Sequence, residues 1–297
     1  MDWFEGFEGA HHDVNGTHIF ARTGGRDGGP PLLLLHGFPQ SHVMWHRVAV
    51  QLAGQYRLVL ADLPGYGDSA APEGDPEHLA YSKRTMADDL VALMRSLGHD
   101  RFFLAGHDRG GRVAHRMALD HPDCVARLCV IDIAPTLDMY EATDMRFARA
   151  YYHWFHLIQP APLPERMIGG DARFYLHTKL GGWGSRGIGF IEPEALAEYE
   201  RCFCRPEAIH AACEDYRASA GIDLEHDQTS RVTGQKIGCD LLVLWGQHGV
   251  VQALFDPVAL WRAQCAGTVT GQMLPAGHFI PEQLPDATAA ALLQFMR

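Results

Sequence analysis

Phe102-Phe103-Leu104-Ala105-Gly106-His107-Asp108-Arg109-Gly110-Gly111-Arg112 is the stretch that decides the fold. A short apolar run ends in a glycine, a polar residue and a second glycine, and a helical pattern follows. This is the G-x-nucleophile-x-G form of a nucleophile elbow, where small flanking residues permit a strained turn and lift one side chain above a sheet. The lifted residue here is Asp108, not serine. A hydroxyl nucleophile can be relayed by a base, and a carboxylate cannot. A carboxylate attacks saturated carbon instead, forming an ester that water must open. The plainer reading of the same residues is a strand-to-helix turn with aspartate as N-cap.

Working outward, Leu32 to Leu35 runs into His36-Gly37-Phe38-Pro39, and Leu58 to Asp62 runs into Pro64-Gly65-Tyr66-Gly67. Leu128 to Asp132 and Leu241 to Trp245 complete the set, and Gln272 to Pro275 marks a last strand before a terminal helix from about Glu282. Short apolar runs alternating with helical patterns indicate an α/β protein with a mostly parallel sheet flanked by helices. Ligands of such sheets sit beyond the carboxyl ends of the strands. Between Thr136 and Arg231 the strand pattern stops, and aromatics, His and Arg crowd together, most densely over Tyr151-Tyr152-His153-Trp154-Phe155-His156. This predicts a helical cap of residues 136–230, inserted after the sixth strand of a core made of 1–135 and 231–297. The stretch from Gly24 to Pro30 reads as a loop.

A base for Asp108 is expected after the last strand. Pro275-Ala276-Gly277-His278-Phe279 lies there, where the order nucleophile, acid, base puts its histidine. The chain has 18 histidines, so position singles out His278. The acid is decided by an absence. Gly246-Gln247-His248-Gly249 follows the strand Leu241–Trp245, and Gly249 stands in the usual acid position. Asp132 ends the preceding strand and can reach His278 from there, with Asp256 as the competing acid.

Composition narrows the partners. Asp plus Glu number 36 against 25 Lys plus Arg, a net charge of −11. So acidic a chain repels nucleic acid and anionic lipid, and an anionic substrate needs a local cluster of arginine or lysine. The seven cysteines are an odd number without a CxxC pair, which favours reduced thiols and a cytoplasmic protein. Cys202 and Cys204 fall in a helical stretch, where residues two apart do not share a face, so a metal site is not expected. Met1 to Gly6 lacks the basic and apolar regions of a secretory signal, and no apolar run approaches a membrane span.

The elbow Gly106 to Arg112, taken with His36-Gly37-Phe38-Pro39, resembles the haloacetate (fluoroacetate) dehalogenases of the α/β-hydrolase superfamily, and the likeness covers nearly the whole chain. Epoxide hydrolases and haloalkane dehalogenases typically carry Trp where this chain has Arg109. The displaced acid is also similar to the haloacetate enzymes. The resemblance implies hydrolysis of a 2-haloacid to a 2-hydroxy acid and halide, with no metal or organic cofactor, by a homodimer. Asp108 would displace halide, and His278, oriented by Asp132, would activate water. Arg109 and Arg112, three residues apart on one helix face, would hold the substrate carboxylate. His153, Trp154 and Tyr216 match the family's halide site, three donors around the leaving anion. Trp183 matches a pocket-wall residue, and the backbone N–H groups of Phe38 and Arg109 would meet the oxyanion. Two rivals are kept open. An epoxide hydrolase would protonate its alkoxide with Tyr151, Tyr152 or Tyr216. A non-catalytic binding protein on this fold would have lost the nucleophile or the base, and both are present.

Overall fold

Leu32–Leu35, Leu58–Ala61 and Leu128–Ile131 are wholly buried in the structure, a computed structural model that describes residues 3–297. They sit at the centre of an eight-stranded sheet. Its strands are β1 (Phe7–Val14), β2 (Thr17–Gly25), β3 (Pro31–Leu35), β4 (Arg57–Ala61), β5 (Phe102–His107), β6 (Val125–Ile131), β7 (Asp240–Gly246) and β8 (Val269–Leu274). The spatial order is β1-β2-β4-β3-β5-β6-β7-β8. Pairs β1–β2 and β2–β4 are antiparallel, and the remaining five pairs are parallel. Strands buried on both faces need unbroken apolar runs, which is why the central ones stand out in the sequence. Each fully buried leucine contributes roughly 1.5–3 kcal/mol, so sliding one of these strands out of register is strongly opposed.

The chain leaves β3 to one side through β4 and to the other through β5. Such a reversal opens a crevice at the carboxyl ends of the strands. The turn after β3 begins at His36, and the helix Asp108–Asp120 begins directly after β5, so both border that crevice.

Eight helices, from Thr136–Glu141 to Ile222–Thr233, fill the interval between β6 and β7. The expected cap boundary at 230/231 falls inside the last of them. That helix continues to Thr233 because Arg231 pairs with Asp138 at 3.0 Å and Glu141 at 2.7 Å, both on the first cap helix, and Gly234 then ends it with φ 72°. The expected loop from Gly24 is shorter too: Gly24 and Gly25 finish β2, paired with Leu58 and Arg57. The terminal helix is split into Ile280–Gln283 and Pro285–Phe295. Among the described residues no helix is long and apolar enough to cross a membrane.

Candidate active site

Asp108 has φ 46°, in the left-handed region that side chains with a Cβ rarely adopt. Strain of this kind persists only where the surroundings over-determine it. Two glycines make the close approach possible. A Cβ on Gly110 would lie 2.3 Å from the carbonyl oxygen of His36, and one on Gly37 would lie 2.4 Å from Cβ of Asp108. The turn after β3 therefore packs directly against the elbow, and the Phe38 N–H donates to Asp108 Oδ1 at 2.9 Å. Burial alone would raise the Asp108 carboxyl. His278, His107, Arg112 and Arg109 outweigh burial and hold the carboxyl below its ordinary range, so it is a carboxylate near neutral pH.

His278 Nδ1 is 2.6 Å from Asp132 Oδ2. A carboxylate oxygen only accepts, so Nδ1 carries the hydrogen and the lone pair sits on Nε2. Nε2 faces Asp108 Oδ2 at 3.9 Å, too far for a direct hydrogen bond. Asp132 is buried, has φ 52°, and accepts the Gly246 N–H on its other oxygen at 3.0 Å. A Cβ on Gly249 would come within 3.2 Å of Asp132 Oδ1, so the vacated acid position borders the one in use. Asp256 is exposed and caps the helix Pro257–Gln264 through the Ala259 N–H, a structural role. Asp132→Asn should lower steady-state turnover by about 10²-fold or more, while Asp256→Asn stays near wild type. Rapid-quench and steady-state halide assays on both variants check this, and near-wild-type turnover by Asp132→Asn would move the acid elsewhere.

His107 also braces the base. Burial, with His278 beside it, lowers His107 to about 3, and its neutral ring donates from Nε2 to the His278 carbonyl oxygen at 2.9 Å. Trp183, at φ 50°, accepts the His278 N–H on its carbonyl at 3.1 Å, and its ring lies 5.2 Å from the His278 ring.

The two arginines differ more than their spacing suggests. Arg109 grips Asp215 of the cap, Nε to Oδ2 and Nη2 to Oδ1 both at 2.8 Å, and also donates to Ser219 Oγ. Its Nη1 is buried without a partner. Among the described residues Arg112 pairs with no carboxylate. It donates to Thr136 Oγ1 at 2.9 Å and the Ala134 carbonyl at 3.3 Å, lies over the Trp154 ring, and leaves Nε buried and unpaired. Burial and then the charge of Arg109 lower its affinity for its proton. Both arginines lie on the helix that begins at Asp108, but Asp215 already pairs with Arg109, while Arg112 has no carboxylate partner among the described residues.

The cap donors converge on the same place. The His153 ring stacks on Phe38 and lies 5.5 Å from Tyr216 and 4.7 Å from Trp183. Burial, then Lys179, holds His153 well below its ordinary value, so it is neutral. His153 Nδ1 and Tyr216 Oη are buried and unpaired, and Trp154 stacks on Tyr151 with its ring 6.5 Å from Tyr216. Of the tyrosines weighed for alkoxide protonation, Tyr152 is 48% exposed on the outer face of the cap. Cys202 is buried in the helix Pro193–Phe203, and Cys204 lies just beyond it, both free. Sequence reading missed Asp215, Ser219 and Lys83, which pairs with Asp215.

A buried carboxylate at the elbow, a histidine oriented by a second carboxylate and a lid of donors are together the parts of a hydrolase site. Comparison with known proteins agrees. The description "alpha/beta hydrolase fold" matches residues 30–187. Fluoroacetate dehalogenase from Burkholderia sp is 48% identical over 99% of this chain and 95% of its own. Soluble epoxide hydrolase from Corynebacterium sp. (strain C12) is 32% identical over 96% of each. The solved structure of ALR0039 from Nostoc sp PCC 7120 is 51% identical, covers 98% of both chains and superposes with a TM-score of 0.95. The chain belongs to the α/β-hydrolase fold family, and within it to the haloacetate dehalogenases.

Proposed function

We propose that the protein hydrolyses a small 2-haloacid, acetate-sized first, to the 2-hydroxy acid and halide, through an ester on Asp108. The observation that carries this reading is the buried nucleophilic carboxylate beside two guanidiniums that each keep one unpaired N–H. Such a site is expensive without an anion to complete it. A haloacetate carboxylate on Arg112 Nε and Arg109 Nη1 presents its halogen-bearing carbon to Asp108. Asp108 bonds to that carbon as the carbon–halogen bond breaks, and the halide leaves towards His153, Trp154 and Tyr216. His278 Nε2 then takes a proton from water, whose oxygen attacks the Asp108 ester carbonyl. The oxyanion meets the N–H of Phe38, already 2.9 Å from Asp108 Oδ1, and that of Arg109. Collapse releases glycolate and restores the carboxylate.

No metal or organic cofactor is needed for these steps. The net charge of −11 disfavours nucleic acid and anionic membrane as partners, the buried Arg109 and Arg112 supply the local cations that a small anion needs, and the seven free cysteines support a cytoplasmic setting. Likeness to the family supports a homodimer, which light scattering checks: a monomer mass would refute it.

Purified protein should release halide from fluoroacetate, chloroacetate or 2-chloropropionate and leave styrene oxide unchanged. Ion chromatography and diol analysis read both. Turnover of styrene oxide with none of chloroacetate would establish the epoxide hydrolase.

A further inference from the structure

Lys179, near the end of the cap helix Ala172–Leu180, is 3% exposed. Its Nζ lies 3.8 Å from the Tyr152 ring centroid, 5.0 Å from Tyr175 and 5.7 Å from Trp183. Lys83, equally buried, is held by Asp215 and Asp223. Among the described residues Lys179 has no such partner, and burial lowers its ammonium. Ring faces attract a cation but replace a carboxylate only in part.

The position of this cation is informative. On its inner side, Trp183 touches both His153 and His278, and the Lys179 charge is the second influence on His153 after burial. Beyond the Tyr152 and Tyr175 rings lies a cavity of about 410 Å³ that these two residues line with His156, Phe174 and the acidic Asp171, and that Lys179 itself does not line. Both ring nitrogens of His156 and the Tyr175 hydroxyl are buried without partners. Unpaired polar atoms thus occur on both sides of Lys179, on His156 and Tyr175 towards the cavity and on His153 towards the halide site.

We propose that Lys179 forms a transient anion site between the outer cap cavity and the halide site, through which a small monovalent anion passes. The anion is haloacetate on its way in or halide on its way out. The proposal rests on the dehalogenase reading for the identity of the anion, but not for its binding. The groups facing Lys179 are Tyr152, His153 and His156 on the helix Tyr152–Leu157, Tyr175 on its own helix, and Trp183. Both histidines are lowered by burial and by Lys179, while Glu165 acts on His156 in the opposite sense. Burial lowers the Lys179 ammonium to about 8, so the site loses its charge as pH rises through that value.

The test compares Lys179→Met with Lys179→Arg. If the anion is inbound, Lys179→Met should lose about tenfold in kcat/KM for chloroacetate with kcat nearly unchanged, and Lys179→Arg should keep most of it. The wild-type fall in kcat/KM above pH 8 should vanish in Lys179→Met. If the anion is outbound, kcat falls and kcat/KM stays. Bromide quenching of tryptophan fluorescence reads binding without turnover, and it should weaken in Lys179→Met and persist in Lys179→Arg. Equal quenching by wild type and Lys179→Met, with unchanged kinetics, overturns the proposal. So does an equal loss in both variants with a lowered melting temperature, the mark of a structural staple. Wild type that binds bromide through Lys179 but leaves haloacetates intact would refute the dehalogenase reading and keep the anion site.

Discussion

His278→Asn should release about one equivalent of halide in a burst and then stall, because the base serves only the second half of the reaction. In the proposed mechanism Asp108 alone bonds to carbon, and its carboxylate is held in the charged form by four nearby groups, of which three remain in the variant. Loss of the base lowers ester hydrolysis by roughly 10²–10⁴-fold. Mass spectrometry of digested peptides should then find a carboxymethyl group on the peptide that contains Asp108. Asp108→Asn should show neither burst nor adduct, since a neutral amide is a poor nucleophile. In ¹⁸O-water, a single wild-type turnover should label the Asp108 carboxylate, because water attacks the enzyme's carbonyl carbon. Label in glycolate alone would mean that water displaces halide directly, with Asp108 as its base, and the ester would be ruled out.

Chloroacetamide should be turned over more slowly than chloroacetate by a few orders of magnitude. Each charge-assisted hydrogen bond is worth roughly 1.5–3 kcal/mol, so losing two costs about 3–6 kcal/mol, or 10²–10⁴-fold in kcat/KM. The structure divides this effect unequally. Asp215 already faces Arg109, so Arg112→Met should cost more in KM than a change at Ser219, which accepts from the Arg109 fork and donates to Asp223. Arg112 also ties down Thr136 and the Ala134 carbonyl, and its replacement could loosen the start of the cap. The amide substrate avoids that ambiguity because the protein is left intact. Comparable rates on acid and amide would dismiss the carboxylate clamp.

How much of this was legible in the chain follows from burial. Strands β3 to β7 announce themselves as unbroken apolar runs, since parallel strands with both faces covered admit little else. The hairpin β1–β2 went unread because β1, at the sheet edge, is mostly exposed and carries His11, His12 and Asp13. Asp108 and His278 were legible because an elbow and a final strand fix their neighbours in sequence. Asp132 was legible only through Gly249, whose missing carboxylate pointed elsewhere. Asp215 was not legible. It reaches Arg109 across 106 residues, and no local pattern marks a pair made by docking a cap on a core. Lys179 hides for the opposite reason, since its partners are aromatic rings that read as packing.

The neighbourhood of Asp132 and Gly249 constrains how a sequence could travel between the two placements of the acid. A side chain at 249 would crowd Asp132 at little more than 3 Å, so both carboxylates would compete for one imidazole. With both present, one is driven to take up a proton and the histidine keeps a partner. With neither, His278 loses the group that selects its tautomer, and the proposed ester hydrolysis slows sharply. The bare glycine at 249 therefore keeps a second carboxylate out of this corner and leaves Asp132 as the single acid on His278.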